Sequence, residues 1–89
     1  MTRLERLNQL LRQAFPEAVF QVFDDSADHA GHGHGFDGET HYRLHIADTS
    51  FRGQLPIAIH RRILAAIKPE TDAGMHSFVI ERAEAPQTQ

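Results

Sequence analysis

The residues best suited to chemistry in this 89-residue chain are its seven histidines. Three of them, His29, His32 and His34, lie in the glycine-rich segment 28–35, where the glycines allow the backbone to fold tightly. Imidazoles spaced in this way can bind a borderline or soft transition metal. The same composition is typical of a flexible, solvated loop. The residues alone therefore leave a metal-binding loop and a solvated loop as open alternatives.

A fourth histidine, His76, lies at the start of the predicted last strand. The sheet fixes such a position while the side chain still reaches solvent, which suits a ligand. On the residues alone, a half-buried histidine bonded to a backbone carbonyl is the simpler interpretation. His41 and His45 share one face of another predicted strand, but at about 3.3 Å per residue they lie roughly 13 Å apart, too far to bind one ion together. We assign these two no role beyond a partly solvated surface.

Charge is distributed unevenly along the chain. Residues 24–39 contain five acids and no Lys or Arg, whereas residues 49–69 contain four basic residues and no acid. Within the basic segment, Arg52, His60, Arg61 and Arg62 cluster near a predicted helix N-terminus, which suits a phosphate or an acidic protein surface. The alternative is an ordinary solvated helix face. The net charge of −3 argues against a dedicated nucleic-acid binder.

Several classes of function are disfavoured by what the sequence lacks. The chain has no cysteine, so it can form no disulfide and contributes no thiolate. It also lacks the H-E-x-x-H, G-x-S-x-G and phosphate-loop motifs, so we do not expect an enzyme. The G-x-x-G at residues 35–38 precedes a strand and carries Asp37 beside Glu39, which would repel the phosphate that a KH clamp binds.

Two helices are predicted from apolar residues at helical spacing. Thr2 and Glu5 form the capping-box pattern before the first helix, which we place over residues 2–15. Pro56 suits the first turn of the second helix, in which isoleucines recur every four residues. The segment 69–74 that follows has room for one short helical turn.

Three short strands are predicted at residues 18–23, 41–48 and 75–82. The chain is therefore predicted to be one α+β domain over residues 1–82, in the order α-β-β-α-(α)-β. Residues 83–89 have little apolar content and are expected to form a disordered tail. The predicted core combines the apolar stripes of both helices with the inward faces of the strands: Leu4, Leu7, Leu11, Leu44, Ile46, Ile59, Ile63, Ile67, Phe78 and Ile80.

Four short motifs, in this order and spacing, resemble the BolA family. They are His41-Tyr42, Phe51-Arg52-Gly53, His60-Arg61 and Met75-His76-Ser77-Phe78. The resemblance spans residues 4–80. The chain departs from the family pattern at Ile59, where the family usually has a basic residue, and in lacking a Trp after the last strand. The resemblance implies a three-stranded sheet with helices on one face, similar to the class II KH arrangement.

The resemblance also implies a function. Members of this family pair with a monothiol glutaredoxin and its glutathione and share a [2Fe-2S] cluster, in iron-sulfur cluster trafficking or iron regulation. It makes His76 one cluster ligand and His32, nine residues before His41, the second, with His34 and His29 near enough to substitute.

Two alternatives remain open. One is a KH-like, DNA-binding transcriptional regulator that uses the basic segment, and the other is a stand-alone metal buffer built on the histidine loop. We further expect a cytoplasmic chain without membrane association, because no apolar stretch approaches about twenty residues. Alone, it is expected to be a monomer or a weak homodimer.

Overall fold

A computed structural model describes residues 1–29 and 39–87. In chain order, its helices and strands are α1 (Arg3–Ala14), β1 (Val19–Asp24), β2 (His41–Ala47), α2 (Pro56–Ala66), α3 (Lys68–Asp72) and β3 (Ser77–Glu84), with short 3-10 turns at Ser26–His29 and Thr49–Phe51. The predicted α+β class and element order are confirmed. No helix in the described ranges is long and apolar enough to cross a bilayer.

The predicted capping box begins α1. The backbone N–H of Glu5 donates to Thr2 Oγ1 at 3.1 Å, and the Thr2 backbone N–H donates to the Glu5 carboxylate at 2.9 Å. These two bonds satisfy N–H groups that have no partner within the helix. The hydrogen bonds from the Thr2 backbone N–H and from its hydroxyl hold the pKa of Glu5 below its ordinary value. Leu7 and Leu11 then turn one face of α1 into the core.

The strands form one sheet in the order β1-β2-β3. β1 runs antiparallel to β2, with Val22 opposite Leu44, and β3 runs parallel to β2, with Ile80 opposite Leu44. A parallel pair needs a long crossover, which α2 and α3 provide. Burial alternates strictly along β2, so one face of the sheet packs against the helices and the other meets solvent. This arrangement fits the class II KH order that the resemblance implied.

One core lies between the helices and the inner face of the sheet. The predicted core residues Leu7, Leu11, Leu44, Ile46, Ile59, Ile63 and Ile67 are all buried, and Leu4, Phe78 and Ile80 pack against them half-buried. Phe15 and Phe51 add an edge-to-face aromatic pair with ring centroids 5.5 Å apart. The predicted helix faces are therefore confirmed.

The predicted start of the tail at residue 83 is wrong, because β3 continues through Glu84. Ala83 packs against the core, and the carbonyl of Glu84 accepts the backbone N–H of Asp48 at 3.1 Å. Beyond the strand, Arg52 donates to the carbonyl of Pro86 at 2.7 Å. The segment after residue 82 has no large apolar residues, but its backbone carbonyls accept hydrogen bonds as far as Pro86.

Candidate functional site

His76 lies immediately before β3, and its side chain is exposed. Its backbone N–H donates to the carbonyl of Thr40 at 3.1 Å, and the N–H of Ser77 donates to the same oxygen at 2.9 Å. Thr40 itself is buried and directly precedes β2. The backbone of His76 is therefore fixed to a neighbouring strand while the imidazole faces outward, which is the arrangement that its strand-end position predicted.

The structure brings His41 next to His76. His41 is the first residue of β2 and pairs with Ser77, and the two imidazole centroids lie 6.0 Å apart with the rings nearly perpendicular. The Nδ1 atom of His41 lies 2.6 Å from the hydroxyl oxygen of Thr40, which holds the ring in place. Imidazole nitrogens bind metals at about 2.0 to 2.1 Å, so two rings at this separation are within reach of one ion.

His41 is half-buried, as a partly solvated surface position should be, but its closeness to His76 was not predicted. Spacing along one predicted strand relates His41 only to His45. The useful signal was that two strands in parallel both begin near a histidine, because the starts of parallel strands lie at the same end of a sheet.

Arg3 supports this end of the sheet from inside. Its Nε donates to the Glu70 carboxylate at 2.9 Å, its Nη2 to the carbonyl of Ala73 at 3.0 Å, and its Nη1 to the carbonyl of Glu39. The Arg3 backbone N–H also donates to the Glu39 carboxylate at 2.9 Å. One arginine thus joins the chain just before β2 to the chain just before His76.

Glu70 completes this support as a nearly buried carboxylate. Besides Arg3 it accepts a hydrogen bond from Arg6 Nε at 2.9 Å, and its backbone carbonyl accepts the N–H of Met75. The bonds from Arg6, and next those from Arg3, hold the pKa of Glu70 below its ordinary value. Glu70 is therefore an anion whose partners fix the turn that leads into His76.

The predicted second ligand, His32, and its substitute His34 lie outside the described residues. The backbone of His29 closes the 3-10 turn that ends the described stretch before them. Across the described ranges, no group of three or more acids and histidines is arranged to hold a metal ion. Within those ranges, the pair of His41 and His76 is what the chain offers a metal at this end of the sheet.

The predicted basic patch divides into residues used by the fold and residues left exposed. Arg62 is half-buried and donates to Ser50 Oγ at 2.9 Å and to Gln54 Oε1 at 2.8 Å. Its guanidinium also lies 5.2 Å from the centre of the Phe15 ring. Arg62 therefore fastens α2 to the turn before it, which a prediction from charge alone missed.

The remaining basic-patch residues differ from Arg62. Arg52 is exposed and bonds the carbonyl of Pro86. His60 and Arg61 are exposed on α2. Only the last two therefore present their side chains to solvent without a described hydrogen-bond partner.

A second polar cluster lies on the open face of the sheet. Glu81 lies 2.6 Å from His45 Nε2 and 3.2 Å from Arg43 Nη1, and Arg43 also pairs with Asp25 at 3.0 Å. Arg43 lies over the Phe23 ring at 4.3 Å. The bond from His45 and the charge of Arg43 hold the pKa of Glu81 below its ordinary value. These contacts assign His45 to a paired surface cluster, distinct from the end of the sheet where His76 lies.

Comparison with known proteins agrees with this fold. The model of the BolA-like protein family matches residues 11–87. An uncharacterized protein in the cobS 5' region of Sinorhizobium is 39% identical over 85 residues, covering 93% of this chain and 91% of that protein. The UV-induced protein uvi31 of Schizosaccharomyces pombe is 31% identical, covering 97% of this chain and 88% of that protein.

Solved structures give the same result. BolA1 from Arabidopsis thaliana superposes with a TM-score of 0.83 at 25% identity, covering 100% of this chain and 98% of that one. The BolA domain of SufE1 from the same plant superposes with a TM-score of 0.81 at 32% identity, covering 97% of this chain and 94% of that one. The family match over most of the chain, together with these relatives and this fold, shows that the chain belongs to the BolA-like protein family.

Proposed function

We propose that this chain is a non-catalytic adaptor that pairs with a monothiol glutaredoxin and its glutathione in the cytoplasm and co-ligates a [2Fe-2S] cluster through His76. Its role would be iron-sulfur cluster trafficking or iron regulation. The observation that carries the proposal is the exposed imidazole of His76 on a backbone fixed by Thr40, 6.0 Å from a second imidazole. A rigid backbone with an accessible side chain is what a shared ligand requires.

The chemistry of the donors fits half of such a cluster. Cysteine thiolates are the usual ligands of [2Fe-2S] clusters, and two imidazoles replace two thiolates on one iron in Rieske centres. This chain has no cysteine, so it can contribute imidazole only and the thiolates would come from the partner. When bound, the cluster would supply a site that accepts an electron and a unit of iron and sulfur that can be passed on. Mixed His/Cys ligation would shift its reduction potential relative to ligation by thiolates alone.

The second imidazole has two candidate sources. The family pattern assigns it to His32, with His34 or His29 as substitute, whereas the geometry favours His41 because its ring already lies beside His76. If His41 is the second ligand, His41→Ala lowers cluster content in the mixed complex and His32→Ala does not. If His32 is the ligand, His41→Ala leaves the cluster content unchanged, and His32→Ala lowers it with partial rescue by His34 or His29.

The central test is His76→Ala in the complex reconstituted with a monothiol glutaredoxin under anaerobic conditions. We expect loss of the visible circular dichroism that is specific to the mixed complex, with His45→Ala as the matched control because His45 lies in the separate Glu81 cluster. Since a ligating imidazole must be neutral, the signal is also expected to weaken at acid pH. An unchanged spectrum in His76→Ala would contradict the proposal.

The rival hypothesis of a KH-like nucleic-acid binder relies on the basic segment. Arg62 is already held by Ser50 and Gln54, which leaves Arg61 as the exposed arginine of α2. With fewer exposed cations, the chain would neutralise fewer phosphates, so the salt-dependent part of its affinity for DNA would be weaker. Submicromolar binding of random duplex DNA at physiological salt, lost in Arg61→Glu, would favour the rival instead.

A further inference from the structure

The outward side of α2 carries large aliphatic side chains that remain exposed. Ile57 and Leu64, seven residues apart, are 57% and 49% exposed, and Leu55 just before the helix is 69% exposed. His60 and Arg61 lie between them on the same side. We call these five residues the α2 outer face.

This face is a second apolar stripe on a helix that already has one. The first stripe, formed by Ile59 and Ile63, is buried in the core and therefore cannot contact a partner. Single exposed aliphatic residues are ordinary on protein surfaces. A helix of 11 residues with large apolar residues on two separate sides is instead typical of one that packs against more than one surface. The α2 outer face therefore has the composition of a contact surface.

Its charge indicates the kind of partner. Residues 49–69 contain no acid, and in the part of the chain that the structure describes, neither His60 nor Arg61 has a hydrogen-bond or ion-pair partner. A complementary surface presents aliphatic side chains flanked by carboxylates. A second copy of this chain, docked symmetrically through the same face, would instead bring its own basic residues against Arg61.

We infer that the α2 outer face is the docking surface for the partner protein with which the cluster is shared, and that this partner presents aliphatic side chains flanked by Asp or Glu. The inference rests on the proposed function. It places docking on a helix and ligation at one end of the sheet. The chain enters α2 after the end of β2, whereas His76 lies beside the start of β2, and six residue steps of about 3.3 Å put these two strand ends roughly 20 Å apart.

The test is calorimetric titration of an iron-free monothiol glutaredoxin into the full chain. Ile57→Ser combined with Leu64→Ser is expected to raise Kd at least about tenfold, because the two changes remove apolar side-chain area that binding would bury. Val19→Ser is the matched control, since Val19 is 76% exposed on β1 and lies outside the face. Arg61→Glu is expected to weaken binding and to reduce its dependence on salt between about 0.05 and 0.5 M. Urea midpoints equal to wild type establish that the variants are folded.

The outcomes separate this inference from the proposed function. Binding by wild type that the double variant retains overturns the inference, and the proposed function still stands if His76→Ala loses the cluster signal. No binding by wild type also overturns the inference, and the proposed function is then decided by whether the mixed complex shows a cluster signal that His76→Ala loses. Two further results overturn the inference alone: a homodimer in sedimentation equilibrium that Ile57→Ser dissociates, or binding to phosphatidylserine vesicles that the same change abolishes.

Discussion

Replacing Glu70 with Gln removes the carboxylate that holds Arg3 beneath the paired starts of β2 and β3. The Glu70 and Arg3 side chains are 6% and 10% exposed, so the change takes the paired carboxylate away from an arginine that is largely shielded from water. Breaking a buried ion pair from one side costs about 3 to 5 kcal/mol. Arg3 keeps the carbonyls of Glu39 and Ala73 as acceptors, which favours the lower end, about 3 kcal/mol.

The assay is urea unfolding followed by circular dichroism, with thermal unfolding as a second measurement. For a domain of this size, about 3 kcal/mol corresponds to a fall in Tm of about 12 to 24 °C. The matched control is Asp72→Asn, which removes the exposed partner of Lys68 on the same short helix. Exposed pairs of this kind contribute about 0.5 kcal/mol or less. Equal effects of the two substitutions would refute the assignment of Glu70 as a buried anchor.

The effect of pH gives an independent check on the same carboxylate. The hydrogen bonds from Arg6 and Arg3 lower the pKa of Glu70 in the folded state below its ordinary value of 4.5. Its ionised form therefore stabilises the fold fully above about pH 4.5, and this contribution is lost as pH falls through the lowered pKa. The difference in unfolding free energy between wild type and Glu70→Gln should shrink below pH 4.5. A difference that stays constant down to about pH 3 would show that charge is not the cause.

Two further predictions concern the core and α2. Ile63→Ala is expected to cost about 2 to 5 kcal/mol in urea unfolding, since Ile63 is fully buried, and a change within error would mean that the wrong helix face had been assigned to the core. Arg62→Ala is expected to cost about 1 to 2 kcal/mol, because it removes the hydrogen bonds to Ser50 and Gln54 and the packing on aromatic rings. Arg61→Ala should stay within about 0.5 kcal/mol, and the reverse order would contradict the different surroundings of the two arginines.

The parts of the fold that could be predicted from sequence are those that local patterns determine. The capping box at Thr2 and Glu5 and the alternation along β2 each depend on neighbours a few residues away, and the structure has both. The end of β3 was missed, because Glu84 is held by a backbone bond to Asp48 that no nearby residue signals.

The candidate site was harder to predict because it joins distant positions. His76 was found through its motif, whereas the neighbouring position of His41 follows only from the parallel register of two strands separated by a long crossover. Arg3 lies among the polar residues of an amphipathic helix, and its spacing gives no sign that it is buried against Glu70. Arg62 was assigned to binding by charge, and the acceptors that hold it come from the turn before α2.

The bond between Arg3 and Glu70 joins residues 67 positions apart, and the pairing of His41 with Ser77 joins residues separated by about two fifths of the chain. Contacts of such long sequence separation slow folding, because the entropy of closing each loop must be overcome before the contact forms. During synthesis, the first turn of α1 therefore waits for its partner until almost the whole domain has emerged. His41 and His76 become neighbours only when β3 pairs with β2. A nascent chain, or one truncated before β3, therefore has separate histidines and no paired site for a metal ion.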